Sequence, residues 1–217
     1  MLEVRLPIAD APFHVLCIGA HCDDIEIGCG GALLALLAKH ASLHVTWVAL
    51  SGVPEREGEL HSSAARFLER AAERRVLTFA FRDGFFPGQF SEIKETFESF
   101  KKLNRPDLVF THHRADLHQD HRVASELTWN TFRSHLILEY EVPKYDGGLT
   151  TPSVYVALTE EQVEAKIGIL EKCYVSQANK HWFTRDTFRA LLRLRGLESG
   201  APSGWAEGFH APKLLLG

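Results

Sequence analysis

Two polar segments of the chain contain residue types that bind metals and transfer protons. The first, AHCDDIEIGCGG, places His21, Asp23 and Asp24 directly after an apolar run. The second, THHRADLHQDHR, places His118 and His121 much later in the chain. His21 and Asp24 stand three positions apart, as do His118 and His121, and at one helical or turn-like step such side chains project to the same side. Either pair can therefore share one ion.

Two histidines and one carboxylate that leave a coordination position open are the ligands that a hydrolytic zinc ion needs. The open position holds a water molecule whose pKa falls to roughly 7. This donor set favours zinc, although iron, cobalt or manganese can also occupy it. Asp23, beside Asp24 but pointing differently, can take a proton from that water. A histidine that does not bind the metal can stabilise the oxyanion and protonate the leaving group. His118 is the candidate, and Asp120 can hold its imidazole protonated and oriented.

Simpler roles compete for several of these residues. Asp23 and Asp24 can merely cap the helix that follows, since aspartate is a favoured N-cap residue. His112 and His113 are expected to line a strand end and not to bind metal. The glycines after Asp24 fail the dinucleotide-binding spacing, so they indicate tight packing of a helix on a strand.

Composition excludes several classes of function. The chain has 217 residues, of which 45% are hydrophobic and 24% charged, as in one globular domain with a sizeable core. Its net charge of −4 lacks the basic footprint of a nucleic-acid binder. No run approaches the roughly 20 apolar residues of a membrane span or forms a leader. We therefore expect a cytoplasmic protein with reduced thiols, no membrane anchor and a small-molecule partner, and a homo-oligomer is compatible with the sequence.

Apolar runs alternate with amphipathic runs through the first part of the chain. The predicted strands cover residues 14–21, 43–50, 76–81 and 106–113, and a helical run follows each of them. This succession predicts a Rossmann-like α/β fold of three layers, α/β/α, around a mostly parallel sheet with right-handed crossovers. Ligands of such sheets bind outside the carboxyl ends of the strands. The two polar segments, which follow the first and fourth strands, should therefore face each other.

The pattern changes after Ser134. LILEYEVP and SVYVAL are predicted strands around a Gly147–Gly148 turn, and Thr159 is the predicted N-cap of a helix. A last helix is expected to stop at Gly196, followed by an ordered loop. We treat residues 1–217 as a single domain, with a core of about 14–135 and a C-terminal extension of about 136–217 that adds strands and helices.

In its two polar segments the chain resembles the LmbE-like, or PIG-L, family of zinc-dependent N-deacetylases. The family signature is A-H-P-D-D followed by x-E and Gly-Gly, with a later H-x-D-H, and here these read AHCDDIEIGCGG and HQDH. The resemblance covers most of the chain and is least diagnostic after about Pro143. One position departs from the signature, because Cys22 replaces the usual proline. We expect its thiol to point away from the metal, since adjacent residues point in different directions.

The resemblance implies a role for each matching residue. The implied zinc ligands are His21, Asp24 and His121; the implied general base is Asp23; the implied oxyanion-stabilising acid is His118, with Asp120 its partner; the implied substrate contacts are Arg56 and Asp116. It also implies removal of an N-acetyl group from an amino sugar or its conjugate. An amidase acting on a non-sugar amide, such as a thiol conjugate, and a sugar- or nucleotide-binding module without catalysis remain alternatives.

Overall fold

A computed structural model describes residues 3–6, 11–103 and 105–215 of the chain. Within this part, strands and helices alternate as the sequence predicts. The strands are β1 Phe13–Gly19, β2 Leu43–Ala49, β3 Glu73–Thr78, β4 Leu108–His112, β5 Leu136–Tyr140, β6 Val154–Ala157 and β7 Ala206–His210. The α-helices are α1 Asp24–Lys39, α2 Pro54–Phe67, α3 Phe90–Phe100, α4 Gln119–Thr131, α5 Glu160–Cys173 and α6 Arg185–Ser199.

The seven strands form one mixed sheet in the order β3-β2-β1-β4-β5-β7-β6. Strands β1 to β5 pair with one another in parallel, and β7 runs antiparallel to both β5 and β6. The predicted α/β fold with a mostly parallel sheet is therefore confirmed. Strand order reverses at β1, which lies between β2 and β4, and such a reversal opens a crevice at the carboxyl ends of the two strands.

Both faces of the sheet are covered, which explains why the central strands β1 and β4 are almost entirely buried. One hydrophobic cluster joins residues of α1, α2, α5 and α6 to one face of the sheet and contains the buried Trp47 and Tyr140. The second cluster joins residues of α3 and α4 to the other face and contains the buried Phe97 and Val109. These two cores make the arrangement three-layered, as the sequence predicts.

Glycines at the start of α1 allow this helix to lie close to its neighbours. A Cβ atom at Gly28 would stand 2.1 Å from the ring of Tyr140, and one at Gly30 would stand 2.8 Å from the ring of Phe67. Both distances are shorter than real Cβ contacts, so any side chain would push α1 away. The prediction that the glycines serve packing is confirmed, and α1 stays near enough to β5 to position the residues at its first turn.

The C-terminal part of the chain departs from two expectations. The expected loop after the last helix contains β7, which inserts between β5 and β6, so those two strands are not neighbours around the glycine turn. AEGFH lacks the β-branched pattern of a strand. Gly208 is required there because a Cβ would stand 2.5 Å from Pro152. The predicted helix stop at Gly196 is also wrong: α6 continues to Ser199 and ends at Gly200, whose φ is +62°.

One local prediction for this part is confirmed. Thr159 caps α5 in a capping box with Gln162. Within the described residues, no helix combines the length and apolarity that crossing a membrane requires. The four cysteines are buried and free: Cys17, Cys22, Cys29 and Cys173.

Candidate active site

The loops after β1 and β4 bring the two polar segments to one edge of the sheet. β1 ends at Gly19, and His21 lies in the short loop before α1, which begins at Asp24. β4 ends at His112, and a loop leads to α4, whose N-cap is His118. Because β1 and β4 are parallel neighbours, both loops leave the sheet on the same side.

The three predicted metal ligands converge. His121 Nε2 lies 3.3 Å from His21 Nδ1 and 3.5 Å from Asp24 Oδ1, and His21 Nδ1 lies 3.4 Å from Asp24 Oδ2. Tetrahedral zinc, with bonds of about 2.0–2.2 Å, separates its ligand atoms by about 3.3–3.6 Å. The donor set and its spacing therefore fit such an ion. Three overlapping groups of side chains here could hold a cation: His21 with His118 and His121, His21 with Asp83, His118 and Asp120, and Asp24 with His112 and His121.

The protonation states of these groups bear on the affinity for a cation. Burial would raise the pKa of Asp24, but the imidazoles of His121 and His112 lower it well below its usual range. Burial and the charge of His112 lower the pKa of His121 to about 3, so this ring is neutral. His21 differs: burial would lower its pKa, but the Asp24 carboxylate and further acidic neighbours raise it well above 6.5. A cation must therefore displace a proton from His21.

Each predicted ligand histidine has a carboxylate at its outer nitrogen. His21 Nε2 lies 3.3 Å from Asp120 Oδ2 and 3.1 Å from Asp83 Oδ1. His121 Nδ1 lies 3.1 Å from Asp116 Oδ2. Such pairs fix the tautomer and ring orientation of a metal-binding histidine, so that the inner nitrogen presents its lone pair.

His112 lies at the strand end, as expected, and is fully buried. Its ring stacks on the His121 ring with centroids 3.8 Å apart, and its Nε2 lies 3.2 Å from Asp24 Oδ2. The Ala20 N–H donates a 2.9 Å hydrogen bond to the same nitrogen. His112 therefore packs directly against Asp24 and His121 and belongs with them to one of the groups that could hold a cation, so its expected role of lining the strand end without binding metal stays a prediction.

Asp23 lies outside this cluster, buried against a cation. Its side chain makes no capping hydrogen bond to α1; Oδ1 instead accepts a 2.6 Å hydrogen bond from Arg56 Nη2. Burial raises the pKa of Asp23, and the guanidinium of Arg56 opposes that rise. Cys22 points away, as expected, because its thiol contacts the Ser51 carbonyl at 3.4 Å. Burial raises the pKa of that thiol to about 12, which keeps it protonated.

His118 and Asp120 meet differently from the expected arrangement. The bond between them comes from the backbone: the Asp120 N–H donates to His118 Nδ1 at 3.2 Å. The Asp120 carboxylate instead accepts from the N–H groups of Gly84 and Phe86, at 2.6 and 3.1 Å, and faces His21. Burial and the charge of His21 lower the pKa of His118. Sequence could not show this because the loop that contains Gly84 lies far from Asp120 in the chain.

Asp116 is buried, with both carboxylate oxygens engaged. Oδ1 accepts from the His118 N–H at 2.8 Å, and Oδ2 faces His121 and accepts from Lys144 Nζ at 2.6 Å. Burial would raise the pKa of Asp116, but the bond to His121 and the charge of Lys144 hold it well below its usual range. Contact between Asp116 and substrate stays a prediction, as it does for Arg56.

Sequence reasoning missed three residues of the site. Asp83 follows β3, at the same sheet edge, and this position is the only signal that could have indicated it. Lys144 had no signal. Tyr174 has a buried ring, and its hydroxyl contacts the Cys22 carbonyl and Glu26 Oε1. Burial raises the pKa of Glu26 to about 8.

Comparison with known proteins gives a family match. Residues 16–132 match the sequence profile of PIG-L, described as GlcNAc-PI de-N-acetylase. An Escherichia coli (strain K12) protein named uncharacterized deacetylase YaiS is 30% identical over 166 residues, which cover 73% of this chain and 89% of that protein. The matched profile contains both polar segments.

Solved structures of low identity share the fold. The conserved protein TT1542 from Thermus thermophilus superposes with a TM-score of 0.73 at 23% identity, covering 94% of this chain and 96% of that one. The 4-carboxy-2-hydroxymuconate hydratase GalB from Pseudomonas putida KT2440 gives 0.73 at 14%, covering 94% and 98%. The N,N'-diacetylchitobiose deacetylase from Pyrococcus horikoshii gives 0.66 at 20%, covering 91% and 82%. Because a hydratase and a deacetylase share this fold, the fold alone does not fix the reaction.

Proposed function

Because the chain belongs to the PIG-L family, we propose that it is a metal-dependent hydrolase that removes an acetyl group from the nitrogen of an amino sugar or an amino-sugar conjugate. The observation that carries the proposal is the convergence of His21, Asp24 and His121 beside Asp23, which supplies both a cation site and a free carboxylate. The family description and the E. coli relative's name support deacetylation.

The proposal that the substrate is an amino sugar rests on the names and descriptions of the related proteins. The description of the matched profile names GlcNAc-PI as the substrate, and the name of the Pyrococcus horikoshii protein gives N,N'-diacetylchitobiose. We therefore propose only the class of molecule that carries the acetylated nitrogen. The assay should include a free sugar, a sugar nucleotide, a glycolipid and an antibiotic intermediate.

The residues that would hold the cation are His21, Asp24 and His121, and we propose Zn²⁺ as the ion. When bound, it lowers the pKa of a coordinated water and polarises the amide carbonyl. Asp83 and Asp120 at His21, and Asp116 at His121, would orient the ligand rings. Other divalent transition metals have suitable chemistry for the same donors.

The other residues supply proton transfer. Asp23 accepts the proton of the attacking water, because its carboxylate lies next to the ligands without joining them. Burial raises the pKa of Asp23, and the guanidinium of Arg56 opposes that rise and so favours the ionised carboxylate. In its protonated form, His118, half-buried at the N-cap of α4, would donate a hydrogen bond to the developing oxyanion and then a proton to the departing amine, and the proton that Asp23 accepts from the water would restore that form. Asp120 contributes its backbone N–H to His118 and its carboxylate to His21.

The test is an assay of acetate and free amine. Protein stripped with a chelator and reloaded with one equivalent of Zn²⁺ would be incubated with N-acetylated sugars, their nucleotide and lipid conjugates, and N-acylated thiol conjugates. We expect acetate and amine in equal amounts from at least one amino-sugar substrate, only in the presence of metal, and loss of turnover in Asp23→Asn.

Two results would contradict the proposal. Hydrolysis restricted to thiol conjugates would make the protein an amidase of another substrate class. Tight sugar binding without acetate release, by protein that retains stoichiometric metal, would make it a binding module.

A further inference from the structure

Lys144 lies in the segment between β5 and β6 and reaches the candidate active site. Its Nζ donates a 2.6 Å hydrogen bond to Asp116 Oδ2 and a 2.8 Å bond to the Val142 carbonyl. Only 12% of the Lys144 side chain is exposed, and only 4% of the Asp116 side chain. Because this ion pair is buried, water cannot replace either partner, and the two groups keep a fixed geometry.

Asp116 connects Lys144 to two residues of the proposed chemistry. One carboxylate oxygen accepts from the His118 backbone N–H, and the other lies 3.1 Å from His121 Nδ1. The orientation of this single carboxylate therefore determines where the His121 ring points and where the His118 backbone lies. Arg122, which donates to the Asp116 and Leu117 carbonyls, holds the backbone of this loop but does not contact the carboxylate.

We infer that Lys144 is a positioning residue: by fixing the Asp116 carboxylate, it orients His121 toward the metal position and His118 toward the reacting atoms. This inference rests on the proposed function. Without the ammonium group, Asp116 Oδ2 keeps only the His121 contact, and the carboxylate is held only by that contact and by the His118 N–H at Oδ1. His121 then loses a fixed partner at Nδ1, which is the type of contact whose loss usually weakens metal binding.

The segment that follows Lys144 has two side-chain attachments of its own. The Tyr145 hydroxyl and His181 Nδ1 are 2.8 Å apart, and the Thr150 hydroxyl lies 2.9 Å from His210 Nε2. Gly147 and Gly148 have φ values of +72° and +87°, so the chain can turn between these anchors. The segment therefore has attachments of its own, and loss of the Lys144 contact should not by itself release it.

The experiment measures metal release, which needs no substrate. Zinc-loaded wild type, Lys144→Met, Lys144→Arg and Lys144→Gln would be mixed with a chromophoric chelator, and the release rate and the melting temperature recorded. We expect Lys144→Met to release zinc about 10- to 100-fold faster than wild type, and Lys144→Arg to retain most of the wild-type rate. The matched control is Lys172→Met, an exposed lysine on α5, which should release zinc at the wild-type rate.

A double-mutant cycle separates positioning from general loosening. In the Asp116→Asn background, Lys144→Met should change the release rate less than about 2-fold, because its effect passes through the carboxylate. If Lys144→Met fails to fold, Lys144→Gln, which keeps a donor but loses the charge, takes its place in the cycle.

The outcomes distinguish the two proposals. Equal release from wild type and the Lys144 variants, or a full additional effect in the Asp116→Asn background, overturns the role of Lys144 and leaves the proposed function intact. Failure of the wild-type protein to retain stoichiometric metal overturns the proposed function, and this inference with it.

Discussion

Arg56 Nη2 lies 2.6 Å from Asp23 Oδ1, so the proposed general base has a guanidinium as its charge partner in a buried position. The two residues come from different elements: Asp23 precedes α1, and Arg56 lies in the first turn of α2. Burial raises the pKa of Asp23, and Arg56 opposes it. Through this pair, α2 helps to maintain the ionised state of the base.

Loss of the Arg56 charge should therefore lower turnover. In Arg56→Met, the buried Asp23 carboxylate has no cationic partner and tends to take up a proton, so we expect kcat to fall by about 10- to 100-fold with zinc still bound. Arg56→Lys should recover part of the loss. The control is Arg66→Met, an exposed position on the same helix. Wild-type kcat in Arg56→Met would show that Asp23 does not depend on this partner.

Substitutions of the adjacent residues Asp23 and Asp24 should have different effects on turnover and on zinc binding. Asp23→Asn should lower kcat by about 10²-fold or more while zinc stays bound, because it removes the base and no ligand. Asp24→Asn should lose zinc, because it removes an anionic ligand. Metal content by elemental analysis, measured beside kcat, checks both expectations. Zinc loss in Asp23→Asn would mean that the roles of the two residues are misassigned.

Tyr174 should be important for stability. Tyr174→Phe removes the hydroxyl that contacts the Cys22 carbonyl and Glu26, and leaves buried polar atoms without a partner. We expect the free energy of unfolding, from urea denaturation of metal-free protein, to fall by about 1–3 kcal/mol. Tyr145→Phe is the control, since this hydroxyl is exposed and its loss should cost under about 0.5 kcal/mol. Equal effects in the two variants would contradict the expectation.

His210 should make the protein less stable in mild acid. Burial and the charge of the stacked His113 lower the pKa of His210 from 6.5 to about 4, although Glu139 opposes this. Between these two pH values the unfolded chain binds more protons than the folded protein, so the free energy of unfolding falls as pH decreases from about 6.5 toward 4.

Urea denaturation of metal-free protein at several pH values checks this. Because the side chain is partly exposed and screened, we expect His210 to contribute on the order of 1 kcal/mol of the acid-induced loss. That contribution should disappear in His210→Gln and persist in the control His61→Gln, an exposed position. The same pH dependence in both variants would exclude His210 as its source.

The sequence predicted those parts of the fold that depend on local pattern. β1, β2 and β4 are largely apolar runs followed by helical runs, so their order implied a parallel sheet and a site at its carboxyl edge. The third strand was predicted over residues 76–81, but β3 begins earlier, at the charged and exposed Glu73. β7 was missed because AEGFH has no such pattern; its pairing comes from partners far away in the chain. Gly196 was misread as a helix end because close packing also selects glycine: a Cβ there would stand 2.0 Å from the Gly204 carbonyl oxygen.

In the candidate site, too, the sequence predicted what depends on local pattern and not the contacts between distant segments. Spacing within each polar segment indicated that His21 with Asp24, or His118 with His121, could share an ion, and the family resemblance implied the set of His21, Asp24 and His121. In the structure, a donor atom of each of these three residues lies within 3.5 Å of a donor atom of each of the other two. The carboxylates at the outer histidine nitrogens, and Lys144, could not be assigned in this way. Their contacts join segments that only folding brings together. Asp120 is the clearest case, since its backbone and not its carboxylate meets His118.

The position of β7 has a consequence for how the protein is made. Glu207, on this strand, accepts hydrogen bonds from the Gly31 and Ala32 N–H groups of α1 and from the buried Lys166. The helix that presents Asp24 thus depends on a strand translated long after it. We expect a nascent chain to acquire its final geometry only once residue 210 has left the ribosome, so pulse-labelled intermediates should be protease-sensitive until then.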